Sequence, residues 1–268
     1  MQTLKAIIFD MDGTLADTEE IHRQAFNAAF DEFRIACHWG EDEYKRLLSI
    51  SGGRERIRQY LHNNDLGGGR PDSIPDLARM LHNRKSEIYR QKLIDGHVGL
   101  RTGIHRLIND AQSKGVHLAI ATSSSTKNVE TLLKVAFGNN ALSLFRTIVT
   151  CDLIEEKKPS PAVYQYALTQ LGVEPDFCIA IEDTHNGNLA ALAAGLKTVI
   201  TTHMFTTDDD FAGASLVLNH LGELGYPVTG LSGNSYSRDY VDTTLLDLIL
   251  SDNEGVKNYK EDSAIAAE

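Results

Sequence analysis

The stretch Ile7-Ile8-Phe9-Asp10-Met11-Asp12-Gly13-Thr14-Leu15 decides the fold. An apolar run from Leu4 to Phe9 stops abruptly at two carboxylates, two residues apart, followed by Gly and Thr. The length and branching of the run fit a buried strand of a parallel sheet. Such a strand leads into acids only where its end meets solvent, a metal or a ligand, because an unpaired buried carboxylate is very costly. Residues i and i+2 of an extended segment share a side, so Asp10 and Asp12 are expected to face one site at the carboxyl end of a strand, where open α/β sheets bind ligands. Gly13 lets the chain turn away at once. Two acids on one side repel, and a hard divalent ion with oxygen ligands, Mg2+, fits between them. The plainer reading is a solvated Asp-Met-Asp-Gly turn.

Asp10-Met11-Asp12-Gly13-Thr14 resembles the D-x-D-G-T signature of the haloacid dehalogenase (HAD) superfamily of phosphohydrolases. The resemblance implies that Asp10 is a nucleophile and Asp12 a general acid/base. Composition is compatible with it. A chain of 268 residues with 42% hydrophobic content can hold one large domain or two smaller ones around ample core. A net charge of −11 argues against nucleic acid as a partner and means that local cations must hold any phosphate. Cys37, Cys151 and Cys178 have no metal-site spacing and read as apolar thiols in a reducing compartment. The first strand begins so close to Met1 that no leader peptide is expected, and no apolar run approaches the roughly 20 residues of a membrane span. The expected setting is the cytoplasm, or a plastid stroma if a transit peptide is missing from the sequence.

After Asp17 the pattern turns helical as far as about Ile94. Asp17 and Thr18 offer N-cap oxygens, and further helices are expected over 41–50, 54–62 and 74–94. The glycine-rich loop from Asn63 to Pro71 follows no strand and reads as a plain connection. Beyond His97, strands near 116–121, 147–151, 177–181, 197–201 and 216–218 alternate with helices, which predicts a parallel, doubly wound sheet. The expected architecture is an α/β HAD/Rossmann-like core over 1–16 and 98–226, with an α-helical cap inserted over 17–97. Residues 229–237, rich in Gly, Ser and Thr, read as a linker, followed by a short apolar helix near Leu245–Leu250 that docks on the core or on a partner, and a polar end. No role is assigned to 227–268.

Three later stations also follow apolar strands. Ala121-Thr122-Ser123-Ser124 offers hydroxyls and backbone N–H groups for phosphate oxygens, or a simple N-cap. Glu156-Lys157-Lys158-Pro159 reads, on composition, as a solvated turn. Ile181-Glu182-Asp183-Thr184-His185-Asn186-Gly187 ends a strand in adjacent acids. The HAD resemblance implies that Thr122 binds phosphate beside Ser123 and Ser124. It makes Lys158 the catalytic lysine, and it places Mg2+ on Asp10, Asp183, the backbone carbonyl of Asp12, and Glu182 as ligand or partner. Many relatives have Gly where Lys157 stands, and its role stays open. The implied mechanism is attack by Asp10 on phosphorus, with Asp12 protonated for the leaving group, a state that nearby like charge would favour.

Substrate choice falls to the helical segment. Gly52 and Gly53 permit close backbone approach, and Arg54, Arg56 and Arg58 can bind phosphate or be solvated. Arg54 and Arg58 share a helix side, and Arg56 points elsewhere. Asp17–Arg23, Trp39 with Tyr44, Gly52–Ile57 and Glu156–Pro161 together are similar to the CbbY-like branch, which includes xylulose-1,5-bisphosphate phosphatases. That resemblance implies a small-molecule sugar bisphosphate, one phosphate at Asp10 and the other near Arg54. It places Glu19 and His22 by the sugar, and Tyr44 with Trp39 along the pocket or in the core of the cap. The expected protein is a monomer. The alternatives are a β-phosphoglucomutase-like mutase, a phosphoglycolate phosphatase-like hydrolase and a catalytically silent sugar-phosphate sensor.

Overall fold

The structure is a computed structural model, and it describes residues 3–66, 73–96, 98–233 and 238–252. The first strand, β1 (Ala6–Phe9), is buried at every position. It lies at the centre of a seven-stranded sheet among the described residues, ordered β3-β2-β1-β4-β5-β6-β7. Its neighbours are β2 (His117–Ala121) and β4 (Cys178–Glu182), followed outward by β3 (Thr147–Val149) on one side and β5 (Lys197–Thr201) and β6 (Leu216–Leu218) on the other. All of these pairings are parallel, and the edge strand β7 (Gly230–Gly233) runs antiparallel to β6. Phe9 pairs with both Ile120 and Ile181. Asp10, Ala121 and Glu182 therefore leave the sheet at one level, on either side of the point where strand order reverses.

Side-chain alternation builds two cores. Ile7 and Phe9 face a layer that includes α5 (Ile104–Ser113) and α6 (Thr126–Phe137). Ala6 and Ile8, with Ala119, Ala121 and Ala180, face α7 (Ala162–Leu171) and α8 (His185–Ala193). The small side chains on that face let the second pair of helices approach closely.

Between β1 and α5 the chain forms α1 (Glu19–Glu32), α2 (Glu41–Leu47), α3 (Gly53–Asn63) and α4 (Ile74–Ile94). These helices have a core of their own, in which Phe26, Phe30, Trp39, Ile57 and Leu81 are buried together. Trp39 belongs there and not to a pocket wall: its backbone N–H donates to Asn27 Oδ1 at 2.8 Å and its ring packs 4.8 Å from Phe26 and from Phe30. The chain leaves and returns at one place, where Ala16 bridges Leu100 and Arg101 N–H donates to Leu15 O at 3.0 Å. The Arg101 guanidinium clamps this crossing by donating to the carbonyls of Gly13, Thr201, Thr202 and Asn219. Thr18 does not cap α1 through its side chain, contrary to the sequence reading; its hydroxyl is drawn instead to Asp12 Oδ1 at 2.8 Å.

The chain after Gly225 also departs from expectation. Gly230–Gly233 is a strand, because β6 offers it an open edge to bond, whereas composition alone suggests a linker. Residues 234–237 of that stretch, 67–71 of the glycine loop and 253–268 of the polar end lie outside the described residues. The helix α9 (Thr243–Ser251) docks on the core, with Leu245, Leu246, Ile249 and Leu250 buried beside Leu107 and Ile179. Asp242 caps its start by accepting from Leu245 N–H at 2.8 Å, and Lys197 Nζ donates to three carbonyls at its end. Leu246→Ala is expected to cost about 2–5 kcal/mol in urea unfolding, as for other fully buried leucines. A cost under about 1 kcal/mol would show that α9 is not part of the core.

Candidate active site

Three carboxylates converge at the carboxyl end of the sheet. Oxygens of Asp10, Glu182 and Asp183 lie within 4.8 Å of one another, and all three residues are buried. Lys158, from the loop between β3 and α7, places Nζ 2.5 Å from both Asp10 Oδ1 and Glu182 Oε1. The Tyr164 hydroxyl donates to the same Glu182 oxygen at 2.7 Å. Glu182 Oε2 accepts the Asp183 N–H at 3.1 Å, which turns this side chain back over the first turn of α8. Gly187 sits in that turn because a Cβ there would stand 2.0 Å from the Glu182 carboxylate. Asp183 is held on Oδ1 by the Thr14 hydroxyl at 2.8 Å and on Oδ2 by His203 Nε2 at 2.9 Å. Gly13, at φ +81°, keeps room for it, since a Cβ there would lie 2.2 Å from Asp183 Oδ2.

The electrostatics follow from burial. Desolvation, aided by Glu182 and Asp183, outweighs the pull of Lys158 and pushes the Asp10 carboxyl well above its usual range. Desolvation also raises Asp183, against the bonds from His203 and Thr14. Burial opposes the charge on Lys158, but Asp10 and Glu182 more than offset it and keep the ammonium protonated. One cation thus faces three buried acids. A hard divalent ion would relieve that imbalance, and an all-oxygen donor set suits one. The residues fit a metal ion.

Asp12 sends its side chain elsewhere and is not part of this cluster, so any share it takes in a metal falls to its backbone carbonyl. Its Oδ1 meets the Thr18 hydroxyl at 2.8 Å, the Tyr89 hydroxyl at 2.9 Å and His22 Nε2 at 3.0 Å, and its Oδ2 accepts from the Ser124 hydroxyl. Burial alone would raise this carboxyl. His22 and the bonds from His22, Ser124 and Thr18 overcome it and hold Asp12 far below the usual carboxylate range. The expectation of a protonated Asp12 is therefore corrected: the charge of His22 and the bonds from His22, Ser124 and Thr18 outweigh desolvation.

Both acids open onto a cavity of about 500 Å³ between the strand ends and the helical segment. Thr122, Ser123 and Ser124 line its floor, with Thr122 Oγ1 accepting the Ser124 N–H at 3.1 Å. Glu19, His22, Tyr44, Gly52 and Gly53 line the opposite side. Tyr44 donates to Glu19 Oε2 at 2.8 Å. Arg54 is not among the lining residues; its side chain is 56% exposed, beside Glu55 and in a separate groove with Arg58 and Arg79. Arg56 lines the cavity in its place, because the carbonyls of Leu47 (2.9 Å) and Ile50 (3.3 Å) and the Tyr44 hydroxyl (3.3 Å) draw its guanidinium inward. Lys157 donates to Glu55 Oε2 at 2.9 Å and so spans from the sheet to α3.

Lys85, Tyr89, His82, His203 and Tyr164 escaped the sequence reading. Lys85 Nζ lies 2.5 Å from His22 Nδ1, and Tyr89 stacks on the His22 ring at 4.0 Å. Desolvation pulls Lys85 down to about 7. His82, which faces Gly53, is pushed down by burial and by Lys85 to about 3 and is neutral. The signal for Lys85 was a lysine inside the helical stripe Ala78, Leu81, Lys85, Tyr89, Leu93, all of them buried. His203 had no such signal, since it sits in a loop.

The Haloacid dehalogenase-like hydrolase family profile matches residues 7–201. Protein CbbY of Cereibacter sphaeroides is 41% identical over 230 residues, covering 86% of this chain and 96% of that protein. Protein CbbY of Cupriavidus necator, plasmid-borne, is 42% identical over 225 residues, covering 84% and 89%. A crystal structure of a CbbY mutant from Rhodobacter sphaeroides in complex with xylulose-1,5-bisphosphate superposes with a TM-score of 0.74 at 38% identity, covering 83% of this chain and 98% of that one. With its acids, lysine and threonine brought to the ends of adjacent strands, the chain belongs to the haloacid dehalogenase-like hydrolases, among the CbbY-like phosphatases of that family.

Proposed function

We propose that the protein is a magnesium-dependent sugar-bisphosphate phosphatase that converts xylulose-1,5-bisphosphate to xylulose 5-phosphate. The observation that carries this reading is a cavity with cations at two separate stations: Lys158 beside Asp10, and Arg56 on the helical side. A monophosphate needs only the first. The bound bisphosphate of the CbbY complex supports the same substrate class. In this reading residues 17–97 act as a cap over a catalytic core of 1–16 and 98–226.

A magnesium ion at Asp10, Glu182, Asp183 and the Asp12 carbonyl would supply positive charge that lets an anionic phosphate approach a carboxylate. Lys158 adds a fixed charge, and Thr122 with Ser123 orients phosphate oxygens. Asp10 attacks phosphorus; its oxygen forms the new P–O bond as the sugar–phosphate bond breaks. Asp12 gives a proton to the departing sugar oxygen. It then takes one from the water whose oxygen displaces Asp10 from phosphorus, and inorganic phosphate leaves. Since Asp12 rests ionised, its first proton has to be delivered. His22, bonded to Asp12 through one nitrogen and to Lys85 through the other, stands on that route.

Asp10→Asn is expected to cut phosphate release from xylulose-1,5-bisphosphate to background with an unchanged circular dichroism spectrum; turnover near the parent rate would refute the nucleophile. Arg56→Ala is expected to lower kcat/KM for the bisphosphate roughly 10- to 100-fold, since a hydrogen bond to a charged group is worth about 1.5–3 kcal/mol. Arg54→Ala should stay within about 3-fold, as expected of a surface substitution; the reverse order in steady-state assays would sink the assignment. Lys85 tests the proton route. Its folded pKa, about 7, lies below the unfolded value, so the unfolded chain binds the extra proton between them and native stability falls as pH drops from about 10 to 7. The gap in urea midpoint between Lys85→Met and the parent should widen over that range and level off below it. A gap independent of pH would show that Lys85 is not held neutral.

A further inference from the structure

We propose that His203 is the positioning residue that aims Asp183 at the metal, and that Phe205 ties this aim to the docked helical segment. The inference rests on the metal-site reading above. His203 lies two residues past the end of β5, and its side chain is only 5% exposed. Its Nδ1 accepts the Phe205 N–H at 3.3 Å, so the ring proton lies on Nε2 and is donated to Asp183 Oδ2. A carboxylate turns freely about its last torsion unless both oxygens are held. Thr14 holds Oδ1 and His203 holds Oδ2, which fixes the plane and leaves each oxygen a lone pair for a cation.

The imidazole is itself braced. The His203 N–H donates to Thr206 Oγ1 at 3.1 Å, and the Thr206 N–H and Thr207 hydroxyl return to His203 O, each at 2.9 Å. The Phe205 ring lies edge-on to the imidazole, with centroids 6.1 Å apart. It is buried in the aromatic core of the helical segment, edge-on to Tyr44 at 5.4 Å, and Tyr44 lines the cavity. One short loop therefore touches an acid of the metal cluster at one residue and the substrate-facing segment two residues later. Displacing the segment pulls on Phe205, and through the shared backbone on the imidazole that holds Asp183.

The test is calorimetric titration of Mg2+ into the phosphate-free full chain, with thermal melting as the control for folding. His203→Ala is expected to weaken Mg2+ binding about 10- to 100-fold, the usual loss when a partner of a metal ligand is removed. His203→Gln, whose amide N–H reaches about as far as Nε2, should restore most of it, and the shorter His203→Asn should not. Phe205→Ala, with every atom of the imidazole retained, should fall between the parent and His203→Ala. A merely structural role predicts losses that follow the melting temperature and no rescue by Gln over Asn; that pattern, or parent-like affinity in both His203→Ala and Phe205→Ala, overturns the proposal. A parent that binds no Mg2+ overturns the metal reading itself and this inference with it.

Discussion

Three buried carboxylates held around one ammonium are the constraint on which the rest of the structure depends. Like charges in a medium of low dielectric repel strongly, and the chain does not relieve that repulsion by exposing them. It builds around them. β1 and β4 deliver Asp10, Glu182 and Asp183 from the two central strands at one level. Gly13 and Gly187 give up side chains where the carboxylates need the space. Thr14 and His203 each donate to one oxygen of Asp183, and Tyr164 adds a donor to the Glu182 oxygen that Lys158 holds. Removing Lys158 would leave the acids uncompensated, which is the expensive half of breaking any buried ion pair.

Asp12 shows how far two residues of one motif can be driven apart chemically. Asp10 and Asp12 are two positions apart and open onto one cavity. Burial among acids raises the first, and a web of donors lowers the second. The web comes from three distant places, Thr18 and His22 on one side, Tyr89 from α4 and Ser124 from the loop after β2. The state of Asp12 thus depends on donors from the helical segment and from the loop after β2 together.

Much of this was legible in the residues. α4 reads as 74–94 because a strong apolar stripe runs its whole length, and β5 and β6 read at their exact limits because each centres on aliphatic residues, Val199 with Ile200 in one and Leu216 to Leu218 in the other. The acids and Thr122 were visible because each ends an apolar run, whereas Lys158 lies in a polar turn and was read only from the family resemblance. What was not legible depended on partners far along the chain. β7 is a strand only because β6 bonds it. Helical spacing separates Arg54 from Arg56 without saying which turns inward; that is settled by the Leu47 and Ile50 carbonyls. The lowering of Asp12 required knowing that His22, Ser124 and Thr18 all lie against it.

The same locality governs recognition. The chain carries a net charge of −11, and Asp208, Asp209 and Asp210 stand at the cavity wall, so its long-range field repels any phosphate ester. Asp208 is neutralised by Lys45 at 2.6 Å, and Asp209 is turned to the His185 N–H at 3.2 Å. In the proposed reading attraction begins only inside, where Arg56 and Lys158 stand with little solvent around them. Salt screens the repulsive outer field far more than these desolvated contacts. A site of this kind gains its selectivity from the spacing of a few buried cations, at the cost of any electrostatic help in finding its ligand.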